Sequence, residues 1–198
     1  MTEMDRESEL LLVARVRTGE TAAFDVIYGE FNPRLFSFLV RLSRSRDVAE
    51  DLLEETWLRF VNRAAKLRPD THLAPFLFTV ARNLYVSYCR SRLIEDAHTI
   101  DMIGLWPLGT PQPSPFEATT ANETGRRIEA ALAALPAIYR EALLLVAVEG
   151  MRPAEAATVC GITPEAMRQR ISRARSAILK RLDERDSSVL VKLSEATT

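Results

Sequence analysis

Between residues 104 and 115 the chain places Gly104, Pro107, Gly109, Pro111, Pro113 and Pro115, a density of breakers that no regular helix survives. Whatever the chain builds is therefore built on either side of this segment. Before it, apolar residues recur at helical spacing in four stretches, about 8–17, 20–42, 47–67 and 73–93. After it they do so over about 123–134, 136–149, 153–160 and from 164 onward. No alternating strand pattern competes. A chain of 198 residues is long enough for two helical units, each burying its own core. The expected fold is all-α: two small helical domains, 1–95 and 123–185, an irregular linker over 96–122, and a tail over 186–198 that reads as a frayed end. Ile103, Leu105, Trp106, Leu108 and Phe116 are too many large apolar groups for a purely solvated spacer, so the linker is expected to lie along a surface.

Several function classes drop out early. Hydrophobic residues make up 47% and charged residues 27%, the balance of a soluble globular protein, and no apolar run reaches membrane-spanning length. Residues 1–9 are acidic and lack the basic flank and apolar stretch of a secretory signal, which predicts a cytoplasmic protein. Cys89, Cys160, His72 and His98 stand apart from one another, so neither a metal site nor a nucleophile, base and orienting group can be assembled. No cofactor is expected, and an enzyme is the least expected class.

The net charge of −1 looks wrong for a nucleic-acid binder until it is divided along the chain. Residues 62–95 carry six bases (Arg63, Lys66, Arg68, Arg82, Arg90, Arg92) against two acids, Asp70 and Glu95. Residues 164–182 carry six (Arg168, Arg170, Arg173, Arg175, Lys180, Arg181) against Glu165 alone. The intervening 96–125 holds Asp96, Asp101, Glu117 and Glu123 with no base. A phosphate backbone is drawn to the two islands only.

In the third stretch Asp47, with Glu50 three residues on, reads as a helix cap, and Ala49, Leu53, Trp57, Phe60, Ala64 and Leu67 then share the core face. The opposite face presents Asp51, Glu54, Glu55, Leu58 and Asn62, an acidic strip that is either ordinary solvated surface or a docking face. In the fourth stretch Leu73, Leu77, Val80, Ala81, Leu84 and Tyr88 form the buried side. Its other side carries Phe78, Arg82, Tyr85 and Cys89, with Asn83, Arg90 and Arg92 flanking them. Aromatics interleaved with arginines offer stacking planes and phosphate contacts to an unstacked strand. Packing of Phe78 and Tyr85 against the preceding helices is the alternative.

Residues 153–171 have a helix-turn-helix layout, with Ala157 where two helices approach, Gly161 in the turn, and Ile162, Met167 and Ile171 packing the second helix back. Thr163 is a suitable cap and Pro164 a suitable first helical residue, and a helix start of this kind favours phosphate. Beyond it Met167, Ile171, Ala174, Ile178 and Leu182 form a buried stripe, while Arg168, Gln169, Arg173 and Arg175 face solvent. Arginine and glutamine are the side chains that contact guanine and adenine edges in a major groove.

These residues fall in a known order. Ala23-Phe24 with Tyr28, Ala49-Glu50-Asp51-Leu52 running into Thr56-Trp57-Leu58, Phe76-Leu77-Phe78 and Ala81-Arg82-Asn83 resemble region two of the extracytoplasmic-function branch of bacterial sigma factors. Leu135-Pro136, Arg140-Glu141, Gly150, Glu155-Ala156-Ala157, Gly161 and Arg173-Ala174-Arg175 resemble region four. The resemblance implies a promoter-specificity subunit whose partners are core RNA polymerase, promoter DNA and an anti-sigma protein. It assigns Glu50, Asp51, Leu52, Glu54, Glu55 and Leu58 to docking on the clamp helices of the polymerase. It assigns Arg63, Lys66 and Arg68 in the loop of residues 62–73, and Arg82, Asn83, Tyr85, Arg90 and Arg92 on the following helix, to capture and opening of the minus-ten element. It gives Thr163, Pro164, Glu165, Arg168, Gln169, Arg170, Arg173 and Arg175 the minus-thirty-five duplex. The chain departs from the family pattern at Glu54, Phe76, Ser87, Arg152, Ala156 and Ala166-Met167, which implies an altered promoter preference.

Two other readings use the same residues. A sigma-like decoy that binds an anti-sigma protein without DNA has no need of Arg168, Arg170, Arg173 and Arg175. A simple helix-turn-helix regulator leaves the acidic strip and the aromatic-arginine helix without a task.

Overall fold

The computed structural model describes residues 5–95 and 123–195, and every regular element among them is helical. Four helices precede the break: α1 (Arg6–Arg17), α2 (Thr21–Ser43), α3 (Arg46–Arg63) and α4 (Leu73–Glu95), with a 3-10 turn at Ala64–Lys66. Four follow it: α5 (Glu123–Ala133), α6 (Ala137–Leu143), α7 (Pro153–Cys160) and α8 (Pro164–Glu195). A π-helical turn, Leu144–Val148, extends α6. The expected surface linker, with Ile103, Leu105, Trp106, Leu108 and Phe116, lies outside the described residues. Beyond residue 185 the backbone is not a frayed end, since α8 runs unbroken to Glu195.

Helix α3 starts earlier than expected. Ser45, not Asp47, is the cap, its hydroxyl accepting from the Val48 N–H at 3.4 Å. The buried face is Ala49, Leu52, Trp57 and Phe60 around a buried Thr56, whose hydroxyl donates back to the Leu52 carbonyl at 2.6 Å. Leu52, expected to dock outward, therefore points into the core, and Leu53 takes a partly buried place beside it. The core behind this face is aromatic: Trp57 and Phe60 meet edge-on at 5.8 Å, and Phe38 of α2 meets Phe78 of α4 edge-on at 5.2 Å.

The expectation of two separate cores is not met. One buried cluster runs from α1–α4 into Ala142, Leu144, Leu145, Val159, Cys160 and Met167. A smaller cluster of Leu132, Leu135, Leu143 and Ala174 ties α5 and α6 to α8. Helix α4 is the reason. Phe78 packs on Phe38 of α2, Tyr85 and Cys89 of the same helix are buried as well, and α7 packs across α4. Burial of each large side chain contributes about 1.5–3 kcal/mol.

Candidate polymerase and nucleic-acid interfaces

Three surfaces bear on function. The first is the face of α8. Gly161 adopts the left-handed conformation, φ +65°, that ends α7 and opens the turn. Nothing lies within 4 Å of where its Cβ would sit, so the constraint is conformational. Arg152 is not a side-chain cap of the usual kind. Instead Glu155 accepts from the Arg152 N–H at 2.9 Å and from its guanidinium at 2.7 Å, which closes the first turn of α7 and holds the Glu155 carboxyl below its ordinary pKa. Thr163 caps α8 as expected, its hydroxyl accepting from the Ala166 N–H at 3.2 Å. Thr163, Pro164, Glu165, Arg168, Gln169, Arg173 and Arg175 are all exposed, with Arg168 paired to Glu165. Arg170 departs from the expectation. It sits beside the buried stripe of Met167, Ile171 and Ala174, and its Nη1 lies 4.0 Å from Glu141 Oε2 in the interior.

The second surface is a groove between α2 and α3, lined by Phe24, Tyr28, Trp57, Leu58 and Val61 and rimmed by Glu50 and Glu54. Leu58 and Val61 are 53% and 55% exposed, which makes this an apolar patch framed by carboxylates rather than a solvated face. Asn32 accepts from the Trp57 indole N–H at 3.0 Å and fixes the floor. Glu50, Asp51, Glu54 and Leu58 are exposed as expected, and Glu55 is partly covered by its pair with Arg59.

The third surface is the aromatic-arginine side of α4 and the loop before it. Arg63, Lys66, Arg68, Asn83, Arg90 and Arg92 are exposed, and the Arg92 guanidinium lies over the Tyr88 ring at 5.7 Å. Arg82 and Tyr85 are not available. Tyr85 is buried, with its hydroxyl pKa pushed far up by desolvation, and Arg82 Nε donates to Glu141 Oε1 of α6 at 2.8 Å.

Among the described residues, that pair is one of three ion pairs that close the units on each other with the same polarity. Arg34 meets Glu149 at 3.0 Å, Arg41 meets Glu129 at 2.8 Å and Arg82 meets Glu141 at 2.8 Å. The arginines come from α2 and α4, the glutamates from the second half of the chain. Burial raises the Glu149 carboxyl pKa, and Arg34 offsets this only in part. At the centre lies Arg140, 6% exposed, donating to the carbonyls of Leu132, Ala133 and Leu135 at the end of α5 and of Arg41 and Leu42 at the end of α2. The sequence reading missed Arg34, Arg41, Glu129 and Glu149, and saw Arg140 and Glu141 only as landmarks of a resemblance. No local signal marks the three ion pairs, because their members lie 59 to 115 residues apart.

A family model described as Sigma-70 region 2 matches residues 27–93, and one described as Sigma-70, region 4 matches residues 125–178. The chain is 36% identical over 148 residues to an ECF RNA polymerase sigma factor, EcfG, of Rhodopseudomonas palustris, covering 74% of this chain and 77% of the relative. It is 30% identical over 175 residues to the RNA polymerase sigma factor CarQ of Myxococcus xanthus, covering 88% and 98% of the two chains. The sigma factor RpoE of Bartonella quintana, solved in complex with the anti-sigma factor NepR, superposes with a TM-score of 0.65 at 27% identity, over 81% of this chain and 96% of that one.

Proposed function

The chain belongs to the extracytoplasmic-function branch of the sigma-70 family, and from that premise we infer that it is an alternative sigma factor, which binds core RNA polymerase and directs promoter recognition and initiation. It acts in the cytoplasm, where polymerase and DNA meet, and makes no covalent change itself: strand opening draws on binding energy. The observation that carries this reading is the coexistence, in one chain, of an arginine face on α8 and an acid-rimmed apolar groove between α2 and α3. The first suits a duplex, the second a helix of a protein partner. A decoy that never meets DNA would have no use for exposed Arg168, Arg173 and Arg175.

The groove is the docking site for core polymerase, with Leu58 as its apolar anchor and Glu50, Asp51 and Glu54 as its rim. Replacing Leu58 by aspartate and Asp51 by alanine is expected to weaken core binding by about 2 kcal/mol, some thirtyfold, as loss of an anchored apolar contact does. Circular dichroism should stay at the parental signal, since both residues are exposed. An unchanged affinity removes this face. Failure of the parent chain to bind core polymerase at low salt, or to support transcription from a cognate promoter, removes the whole reading.

Arg168, Arg173 and Arg175 contact the minus-thirty-five duplex, with Thr163 and Pro164 presenting the helix start to a phosphate. Arg168→Ala with Arg173→Ala is expected to lower the slope of log affinity against log salt by about 2, roughly one per lost phosphate contact. Parallel salt plots for variant and parent contradict these contacts.

Arg63, Lys66, Arg68, Asn83, Arg90 and Arg92, together with Arg82 and Tyr85, capture the minus-ten element. Because Tyr85 is buried, with Arg140 and Glu141 of α6 beside it, and Glu141 occupies Arg82, capture requires the two halves of the chain to separate. An anti-sigma protein, the partner in the related structure named above, regulates the factor by binding it when polymerase is not bound.

A further inference from the structure

Helix α1 lies outside every surface named so far, yet two of its side chains reach the loop that carries Lys66 and Arg68. Glu9 Oε1 accepts from the Leu73 N–H at 2.6 Å, a contact across 64 residues of sequence. Leu73 opens α4, and the first turn of α4 holds no acidic residue of its own. Glu9 thus supplies from outside the carboxylate that the free N–H groups and positive end of a helix favour. Its other oxygen pairs with Arg6 and lies 3.6 Å from His72 Nδ1. Arg6 in turn donates to the carbonyls of Asp70 and Thr71, at 2.8 and 3.3 Å. The loop adds its own bonds. The Thr71 N–H and hydroxyl both donate to the Arg68 carbonyl, at 3.1 and 2.7 Å, and Arg68 forks onto Asp70 at 3.1 Å. Residues 70–73 are therefore held from α1, and Asp70 and Thr71 carry that hold to Arg68, which stays on the exposed side.

We propose that Arg6 and Glu9 are positioning residues for promoter opening: they fix the loop before α4 in the shape that receives the unstacked minus-ten strand. The proposal rests on the reading that this loop and α4 engage that strand. A captured base is held by a few contacts in a fixed frame, and a displacement of about 1 Å in such a frame costs on the order of a hundredfold in rate. Neither residue touches the groove between α2 and α3 or the face of α8. Loss of either should spare binding to core polymerase and to the minus-thirty-five duplex.

The experiment uses holoenzyme assembled from core polymerase and the full chain, on promoter DNA carrying 2-aminopurine in the minus-ten element, so that fluorescence reports unstacking. Glu9→Ala is expected to slow the opening step by about tenfold or more at saturating holoenzyme, with the concentration for half-maximal binding unchanged. Glu9→Gln, which keeps an acceptor for the Leu73 N–H, should recover most of that rate. Arg6→Ala removes only the two carbonyl contacts and the ion pair, and should slow opening by about threefold. If Glu9→Ala fails to fold, Arg6→Ala with Glu9→Gln decides the matter. Parental opening rates in folded variants overturn the proposal, as does a loss that appears equally in core and duplex binding. Lys66→Ala with Arg68→Ala separates the proposal from its premise. Slow opening there with parental opening in the α1 variants refutes the positioning role alone, whereas parental opening in both refutes the minus-ten assignment of the loop.

Discussion

Arg140→Met is expected to be the most destabilising single substitution in the chain, lowering the free energy of unfolding by about 3–5 kcal/mol. The guanidinium has five N–H donors, and all five are used on main-chain carbonyls. Those carbonyls lie at and just beyond the ends of two helices, α5 and α2, where the helix dipole is negative and most carbonyls lack an intrahelical partner. One buried cation therefore closes two helix ends from opposite halves of the chain. Burial without a neighbouring carboxylate has its own cost: it brings the Arg140 pKa down from the usual arginine value to about 10. The cation is still charged at neutral pH, so in the methionine variant five buried carbonyls lose a charged donor together. Urea unfolding should show a midpoint lower by more than about 1 M at unchanged slope. Arg140→Lys, with three donors on a point charge, should lose less. A midpoint within about 0.3 M of the parent for the methionine variant would mean that water replaces the guanidinium, and that the two helix ends do not depend on it.

Arg140 also marks where reading the sequence stops. The helices were legible because their apolar residues recur with the helical period, and the turn of the helix-turn-helix because Gly161, Thr163 and Pro164 each have a conformational preference of their own. The exposed face of α8 followed from the same phase, apart from Arg170, which the stripe of Met167, Ile171 and Ala174 carries inward. In α3 an error of phase had a larger effect. Capping at Ser45 goes with a buried face that takes Leu52, while Leu53 turns toward the groove. Aspartate and serine are comparable caps, and only packing of Trp57 and Phe60 against Phe24 decides between neighbouring registers. Charged burial is harder still. Glu141 has no exposed surface and Arg140 almost none, yet both are residues that periodicity alone assigns to water. Their placement depends on Arg82, Arg41 and Leu42, which no local window contains. The positioning contacts of Arg6 and Glu9 are of the same kind, made to a loop some 64 residues away.

If Arg82 and Tyr85 capture the minus-ten element as proposed, the closed arrangement and promoter capture cannot coexist on α4. Arg82 has one guanidinium, and in the closed chain its Nε is given to Glu141; Tyr85 is buried there and stacks on a base only once it is uncovered. The α8 face carries no such conflict, because Arg168, Arg173 and Arg175 are exposed while the chain is closed. Holding the chain shut should therefore separate the two DNA contacts. Cysteines in place of Arg41 and Glu129, whose side chains meet at 2.8 Å, can be joined by a short bis-maleimide with a cleavable disulfide. Cys89 and Cys160 will compete poorly for the reagent, since both are buried and burial pushes their thiols up. The joined protein is expected to bind a minus-thirty-five duplex as the parent does and to lose affinity for a single-stranded minus-ten oligonucleotide by about a hundredfold, because apparent affinity falls in proportion to the fraction of open chain. Reduction of the linker should restore it. The same variant before joining lacks one of the three closing pairs and should bind the oligonucleotide at least as tightly as the parent. Parental affinity in the joined protein would show that a strand reaches Arg82 and Tyr85 with the halves together, and the closed chain would then be competent for opening as it stands. Loss of duplex binding as well would place the effect in the helix-turn-helix rather than in access to α4.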